Sequence, residues 1–243
     1  MLSKIYKRLF CSEISLFKNT IRVSFELSNL CNYSFIHKKC PLFLEKRPTI
    51  LPSTIVYSVL DSLHGLKFKG EIAFHTYNEP LIDPRLFQFI SYARRSCPRS
   101  NIYICSNGFY LDQTLADELV AVGVSEIRIS AYSDKEFERL GKMKLTIPFK
   151  VERQILDNRL NQYIGGIKNS SKPCFAPLNE ICISRDGKIV LCCLDWKKEY
   201  VFGDLHKEPL ETILKKDKVI ETYDRLSKGD RFLELCKRCD WTR

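Results

Sequence analysis

Residues 25–41 read FELSNLCNYSFIHKKCP, and the interpretation of the whole chain begins from this stretch. It continues a β-rich run over residues 21–27 into a polar loop that carries Cys31, His37 and Cys40. Soft donors on a loop just after a strand can bind a metal ion or an iron–sulfur cluster. Two buried thiols beside a surface histidine would give the same pattern, so the loop alone leaves both interpretations open.

The composition is that of a globular chain with many thiols. The chain has 243 residues, of which 44% are hydrophobic and 28% charged, which suits one large domain or one domain plus a small one. Its eleven cysteines are an odd number, and residues 1–19 lack the continuous apolar core of a secretory signal. This argues against a disulfide framework. We expect a cytoplasmic protein with metal-bound thiolates.

The net charge of +10 comes from lysines and arginines that are scattered along the chain. No aromatic residues interleave with them as they would in a surface that stacks bases, so a solvated basic surface is favoured over a nucleic-acid site. A basic surface would also attract an anionic substrate or an acidic protein. No apolar run approaches the length of a membrane span.

Strand and helix signals alternate through the first two thirds of the chain. We predict strands at 21–27, 71–75, 101–105, 126–130 and 149–156, and helices that begin at Ser53 and span 84–95 and 112–122. This alternation is typical of βαβ units with a parallel sheet, in which functional residues follow the carboxyl ends of strands. Those ends carry Cys31, residues 77–80, residues 106–108 and Ser130, which should share one rim.

The ordered motifs resemble those of the radical S-adenosylmethionine (radical SAM) enzymes. In that family the second strand ends in a Gly-Gly-Glu-Pro-like turn that binds the methionyl amino group, the third in Thr-Asn-Gly and the fourth in Ser near the ribose. This chain has Tyr77-Asn78-Glu79-Pro80, Ser106-Asn107-Gly108 and Ser130 in the same order. The residues that the resemblance implies for SAM binding, with Arg128 added because it shares a strand face with Ser130, are Asn78, Glu79, Ser106, Asn107, Arg128 and Ser130.

The first loop departs from the family pattern. Three cysteines, spaced Cys-x3-Cys-x2-Cys, hold a [4Fe–4S] cluster in the family, whereas this chain has Phe35 and Lys38 at the second and third positions. It offers Cys31-x5-His37-x2-Cys40 instead, and imidazole can replace thiolate on iron. We predict that these three residues hold the SAM-cleaving cluster. Cys105 is the alternative third ligand, and a degenerate site is the other alternative.

A second set of thiols lies in the last seventy residues. Cys174 and Cys192 flank a hairpin with Arg185-Asp186-Gly187 at its turn, and Cys236-x2-Cys239 follows a helical run near 210–223. Four thiolates can hold zinc or an iron–sulfur cluster. The pattern resembles the twitch domain, a shortened SPASM module, which implies one auxiliary [4Fe–4S] cluster. Cys182 is left as a core thiol and Cys193 as a competitor for the position of Cys192.

The sequence therefore predicts an α/β chain in four parts. These are an N-terminal segment over 1–19, an open partial (β/α) barrel of parallel strands over 20–157, a connection over 158–173, and a small hairpin-and-helix cluster domain over 174–243.

The resemblance implies reductive cleavage of SAM and abstraction of a hydrogen atom from a substrate carbon. The short segment before the first strand favours a small polar substrate, such as a sugar or aminocyclitol, over a peptide; its dehydrogenation would use the auxiliary cluster as electron acceptor. An acidic flavodoxin or ferredoxin is the expected electron donor. A degenerate scaffold without SAM cleavage and a zinc- or cluster-binding interaction protein are the alternative functions. The substrate-contacting candidates, the first two of them catalytic, are Asp195, Arg153, Gln154 and Arg128.

Overall fold

The structure, a computed structural model, describes residues 20–37, 40–44, 47–153, 171–237 and 239. The predicted segment 1–19, Gln154 and most of the predicted connection lie outside these ranges. The four domain boundaries stay predictions.

Eight strands of the described chain form one sheet in the order β5-β4-β3-β2-β1-β6-β7-β8. The strands from β5 to β6 pair in parallel, and β6, β7 and β8 pair antiparallel. Their bounds are Arg22–Phe25 for β1, Glu71–Ala73 for β2, Asn101–Ser106 for β3, Glu126–Ala131 for β4, Phe149–Arg153 for β5, Glu180–Ile183 for β6, Lys188–Val190 for β7 and Val201–Asp204 for β8.

The helices lie between these strands and after them. The bounds are Ser53–Gly65 for α1, Leu86–Ser96 for α2, Gln113–Ala121 for α3, Asp134–Gly141 for α4, Ala176–Asn179 for α5, Leu210–Leu214 for α6, Asp217–Ser227 for α7 and Glu234–Lys237 for α8, with 3₁₀ turns at Pro41–Leu44 and Pro80–Ile82. None of the helices in the described ranges is long and apolar enough to cross a membrane.

The predicted open sheet of parallel strands and its hairpin are confirmed. Helix α4 was not predicted, although Ser133 and Glu136 have the Ser-x-x-Glu spacing of a capping box and the Ser133 hydroxyl accepts a hydrogen bond from the Glu136 amide at 3.2 Å. The single helical run expected near 210–223 is two helices, α6 and α7, separated by Lys215 and Lys216.

The two faces of the sheet differ in character because side chains alternate along each strand. One face of β1, β2 and β4 is apolar and packs into the hydrophobic core, with Phe25, Ile72 and Ile127 fully buried. The opposite face is polar and charged. Its members are Arg22, Ser24, Glu71, His75, Tyr103, Cys105, Glu126, Arg128, Ser130, Glu180 and Cys182.

The C-terminal hairpin extends this sheet. Strand β6 lies beside β1, with Arg22 in register with Glu180 and Ser24 in register with Cys182. The thiols that follow the hairpin are therefore held at a fixed position relative to the strand that precedes Cys31.

Candidate active site

A cavity of about 310 Å³, which we call the strand-end cavity, lies where the parallel strands end. The structure brings all the predicted SAM-binding and first-cluster residues to its wall. These are Cys31, His37, Cys40, Asn78, Glu79, Ser106, Asn107, Arg128 and Ser130. The sequence expectation that the strand-end motifs share one rim is therefore met by the geometry.

Glu79 is the centre of the polar contacts at this rim. Its side chain is 2% exposed, and its carboxylate accepts hydrogen bonds from the Ser106 hydroxyl and the Asn107 amide, both at 2.7 Å, and from the Leu81 amide at 3.1 Å. Burial raises the pKa of Glu79, and these donors oppose that shift. The carboxylate thus joins the turn after β2 to the turn after β3.

The Asn107 side chain links these contacts to the loop after β1. Its side-chain amide donates to the Asn32 side-chain oxygen at 2.7 Å and lies 3.9 Å from the sulfur of Cys31. The Cys31 sulfur also accepts from the Tyr33 amide at 3.4 Å. One chain of polar contacts therefore runs from Glu79 to Cys31.

Hydrogen bonds hold both ends of the loop that carries the predicted cluster ligands. The Asn29 side chain bonds the backbone of Arg47 and Thr49, and Arg85 donates to the carbonyl of Leu51 at 2.8 Å while it pairs with Asp83. These contacts fix both ends of the loop and leave its middle to approach the cavity.

The three predicted first-cluster ligands reach the cavity from this loop. His37 is 6% exposed and packs against the ring of Tyr132, with ring centroids 5.3 Å apart, so it is not the solvated histidine of the alternative interpretation. Burial raises the pKa of the Cys31 thiol to about 11. A thiolate ligand there would form with release of a proton to solvent, so metal binding at this site is coupled to pH. Ligation by His37 stays a prediction, and Cys105 also lines the cavity.

Asn78 has a buried side-chain amide that could bind a ligand. Both polar atoms of its side chain are buried without a hydrogen-bond partner in the described structure. An unsatisfied buried amide is costly unless a ligand or water bonds it. Its place in the cavity wall, one residue before Glu79, fits the predicted role in cofactor binding.

Arg128 belongs to an ionic cluster on the floor of the cavity. It donates to Glu126 at 2.7 and 2.8 Å, lies 3.4 Å from Glu71, and stacks over the Tyr103 ring at 4.1 Å. The hydrogen bond with Glu126 raises the pKa of Arg128. Its planar guanidinium is thus held in place by contacts within the protein.

The two predicted catalytic residues do not line this cavity. Arg153 is an exposed side chain at the outer strand β5, where it pairs with Asp134 at 3.0 Å and covers the Phe137 ring. Asp195 is buried, and its carboxylate accepts hydrogen bonds from the backbone amides of Glu199 and Tyr200 at 2.8 and 2.9 Å. These bonds hold the loop over residues 195–200. Neither residue lines the strand-end cavity, and their catalytic role stays a prediction.

A second cavity, about 190 Å³ in volume, lies beside the hairpin, and we call it the thiol cavity. All four predicted auxiliary ligands line it, and Cys193 does so as well. They are Cys174, Cys192, Cys236 and Cys239. Burial raises the pKa of Cys236 to about 12 and that of Cys192 well above its ordinary value, so these thiols are neutral without a metal.

The placement of these thiols bears on the choice between zinc and an iron–sulfur cluster. Among the described residues no three His, Cys, Asp or Glu side chains lie close enough together for one metal ion. A single zinc ion needs sulfur atoms about 2.3 Å from one point, whereas a multi-iron cluster occupies the space between them. Thiols placed around a cavity therefore fit an iron–sulfur cluster.

Comparison with known proteins agrees with this geometry. Residues 174–240 match the SPASM family model, an iron–sulfur cluster-binding domain. Over 231 residues the chain is 22% identical to the S-adenosyl-L-methionine-dependent 2-deoxy-scyllo-inosamine dehydrogenase of Niallia circulans. The aligned region covers 90% of this chain and 92% of that protein. The chain is thus similar to a SAM-dependent dehydrogenase over most of its length, and its C-terminal region is similar to an iron–sulfur cluster-binding domain, in agreement with the predicted resemblance to radical SAM enzymes with a twitch domain.

Solved structures of two proteins with bound AdoMet have a similar fold. The structure of BtrN in complex with AdoMet and 2-DOIA matches with a TM-score of 0.78 and 21% identity over 91% of this chain and 93% of that one. The structure of anSMEcpe with bound AdoMet matches with a TM-score of 0.59 and 11% identity over 90% and 83%. The cofactors predicted from the sequence, [4Fe–4S] clusters and SAM, are supported by the match to an iron–sulfur cluster-binding domain and by the similarity to a SAM-dependent dehydrogenase.

The sequence did not indicate several other residues of the strand-end cavity. They are Arg22, Tyr33, His75, Tyr103, Tyr132 and Glu180, all of which line the strand-end cavity. The alternation of polar residues along the strands, as in Glu71 and His75 or Glu126 and Arg128, was the available signal. Tyr77 also links the two cavities, because its hydroxyl donates to the carbonyl of Cys193 at 2.6 Å.

Proposed function

We propose that this radical SAM protein cleaves SAM reductively and dehydrogenates a small aminocyclitol-like alcohol. The observation that carries the proposal is the adjacency of the two cavities, one lined by the SAM motifs and the other by four thiols. The Niallia circulans relative is named as a dehydrogenase of 2-deoxy-scyllo-inosamine, an alcohol of this class.

The first loop would hold the SAM-cleaving cluster through Cys31, His37 and Cys40. Bound there, the cluster and SAM supply a carbon radical that can remove a hydrogen atom from an unactivated C–H bond. Glu79 has roughly four lone-pair sites, three of which are occupied by Ser106, Asn107 and Leu81, so one site remains for the SAM ammonium group. Asn78 adds an unsatisfied amide beside it.

The polar inner face of the sheet suits a hydroxylated substrate that bears an amine. Carboxylates at Glu71, Glu126 and Glu180 outnumber the guanidinium groups of Arg22 and Arg128 in the ionic cluster. A net negative floor favours an ammonium group, and the neighbouring hydroxyl groups offer hydrogen bonds to a polyol. This supports an aminocyclitol over an uncharged sugar.

The electron donor that we propose is a small acidic protein. The net charge of +10 would attract such a partner and accelerate its encounter with the chain. Because this attraction is screened by salt, the rate of reduction by a flavodoxin should fall as ionic strength rises, whereas reduction by dithionite should depend on salt far less.

The test is a product assay with 2-deoxy-scyllo-inosamine. Protein reconstituted anaerobically with iron and sulfide is incubated with SAM, dithionite and the aminocyclitol, and products are identified by mass spectrometry. We expect a ketone that has lost two hydrogen atoms, formed together with 5′-deoxyadenosine. A short cysteine-containing peptide is the comparison substrate. Oxidation of the peptide with no change in the aminocyclitol would contradict the proposal.

A further inference from the structure

Three residues line both cavities and thus form the partition between them. They are Arg22 on β1, Glu180 at the start of β6, and Cys193 after the hairpin. Glu180 is the one carboxylate among the three. A group in this position can contact a substrate in the strand-end cavity from the side on which the thiol cavity lies.

Glu180 is held in a defined orientation but keeps capacity to accept a hydrogen bond. The Ser24 hydroxyl donates to its Oε1 atom. Its Oε2 atom lies 3.8 Å from Nη1 of Arg22, too far for a strong hydrogen bond. Arg22 instead directs Nε and Nη2 to Glu71, at 2.8 and 2.5 Å. The Glu180 side chain is 13% exposed, so it reaches the cavity from a largely buried position.

Oxidation of a secondary alcohol to a ketone requires three departures. The C–H hydrogen atom leaves with the SAM-derived carbon radical, the O–H proton needs an acceptor, and one electron must leave for the C=O bond to form. An iron–sulfur cluster held by the thiols of the thiol cavity would be able to accept this electron. A proton acceptor in the partition would take the hydroxyl proton on the side of the substrate that faces the thiol cavity, which is also the side toward which the electron leaves.

We propose that Glu180 accepts the substrate hydroxyl proton at Oε2, with Ser24 as the residue that positions it. The inference rests on the proposed dehydrogenation and identifies its proton acceptor. The O–H bond breaks as the carboxylic acid forms on Glu180, and the oxygen retains the bonding pair that becomes part of C=O. Solvent takes the proton from Glu180 after the ketone leaves.

Other groups at the cavity are engaged differently. Glu79 holds three donors of the SAM turns and lies at the rim. His75 pairs through Nε2 with the Tyr103 hydroxyl at 3.0 Å, and Tyr77 donates to the Cys193 carbonyl. None of these three lines the thiol cavity. Glu180 combines a basic group with a place on both cavities.

The experiment compares wild type with Glu180→Gln and Glu180→Asp, all with both clusters reconstituted. Binding of 2-deoxy-scyllo-inosamine is measured by calorimetry with SAM present and no reductant. Ketone and 5′-deoxyadenosine are then quantified at saturating substrate. Glu152→Gln is the matched control, because Glu152 is exposed on β5 and pairs with Lys150 outside both cavities.

For Glu180→Gln we expect substrate affinity within about threefold of wild type and ketone formation slower by about 100-fold or more, the usual loss for a general base. The ketone formed per 5′-deoxyadenosine should fall well below the wild-type ratio, because hydrogen abstraction persists without proton transfer. Glu180→Asp, which keeps a carboxylate, should recover part of the ratio. Glu152→Gln should match wild type.

If Glu180→Gln keeps the wild-type rate of ketone formation and the wild-type ratio of ketone to 5′-deoxyadenosine, the role of Glu180 is wrong, whereas the proposed dehydrogenation stands. Weakened binding with a normal ratio at saturating substrate would overturn that role as well, since Glu180 would then be a binding residue. If wild type makes 5′-deoxyadenosine but no ketone, the proposed function fails and the inference fails with it. Thermal unfolding of each variant separates these outcomes from misfolding, and Glu180→Asp keeps the test decisive if the amide variant does not fold.

Discussion

Glu79 shows how much of the site depends on single residues. Its buried carboxylate accepts hydrogen bonds from the Ser106 hydroxyl and from the backbone amides of Asn107 and Leu81. The side-chain amide of Asn107 in turn contacts the sulfur of Cys31. Because these donors belong to the turns after β2 and β3, removal of the charge should affect cofactor binding more than the fold of the C-terminal unit.

The first prediction concerns SAM affinity. Glu79→Gln should weaken SAM binding by about 10-fold to 100-fold, the equivalent of one charge-assisted hydrogen bond of about 1.5–3 kcal/mol. The iron of the auxiliary cluster should stay unchanged. Equilibrium binding of SAM to reconstituted protein measures the effect, with the exposed Glu118→Gln as control. Equal affinity in all three proteins would contradict the assignment.

The second prediction concerns pH. Burial raises the folded-state pKa of Glu79 above its unfolded value of about 4.3. The stability that the protonated group contributes is present below the unfolded pKa and is lost as pH rises through the folded pKa. Glu79→Gln cannot titrate, so its free energy of unfolding relative to wild type should increase with pH. Denaturant titrations of SAM-free protein across this range provide the measurement, and a difference that falls with pH would contradict it.

At the scale of elements, the hairpin of β6 and β7 depends on the backbone of Gly187. This residue has φ of +73°, and a Cβ atom there would lie 2.7 Å from Cδ1 of Ile55 on α1. The turn is thus tight and packs directly on a helix of the parallel region. The Cys-Gly-Cys spacing of the family resemblance therefore has a steric reason in this chain.

The third prediction follows from that turn. Gly187→Ala should lower the free energy of unfolding by about 1–3 kcal/mol, because alanine is strained at positive φ and contacts Ile55. Gly65→Ala is the control: Gly65 ends α1, nothing lies within 4 Å of its added Cβ, and alanine favours a helix by about 0.5–1 kcal/mol. Thermal and denaturant unfolding measure both. Equal destabilisation would contradict the steric argument.

The strand ends and hairpin could be predicted because they depend on local signals. Alternating strand and helix patterns placed Glu79, Ser106, Asn107 and Ser130 on one rim, and the structure brings them to one cavity. The partition at Glu180 could not be predicted in this way, because it requires β6 to pair with β1 across more than 150 residues of sequence. Local patterns do not contain that register.

The two predicted catalytic residues do not line the strand-end cavity, and the reason is related. Arg153 and Asp195 were predicted as polar residues on the later strands and the hairpin, and such a position does not determine where a side chain points. Arg153 lies at the edge of the sheet beside Asp134, and Asp195 is committed to backbone amides of its own loop. Both fates depend on tertiary contacts that spacing alone does not indicate.

Across the whole molecule, one buried ion pair joins the parallel region to the hairpin. Arg185 at the hairpin turn donates to Glu26, just after β1, at 2.6 Å, and the two side chains are 7% and 4% exposed. The Arg185 backbone amide also donates to Glu26 at 3.1 Å. This pair holds the two cavities in a fixed relation.

The fourth prediction tests that link. Arg185→Met should lower the free energy of unfolding by about 3–5 kcal/mol, because it leaves the Glu26 carboxylate buried without its guanidinium. The double variant with Glu26→Gln should recover much of the loss. Denaturant unfolding measures both. A single variant as stable as wild type would show that the pair does not connect the two regions energetically.

The central claim, that the strand-end cavity supports SAM cleavage, has one direct measurement. Wild type and Cys31→Ala, both reconstituted with iron and sulfide, are incubated anaerobically with SAM and dithionite, and 5′-deoxyadenosine is quantified by chromatography. We predict about eight irons per chain and 5′-deoxyadenosine formation in wild type, and about four irons and none in the variant. A wild-type protein that holds both clusters and SAM yet forms no 5′-deoxyadenosine would contradict the account.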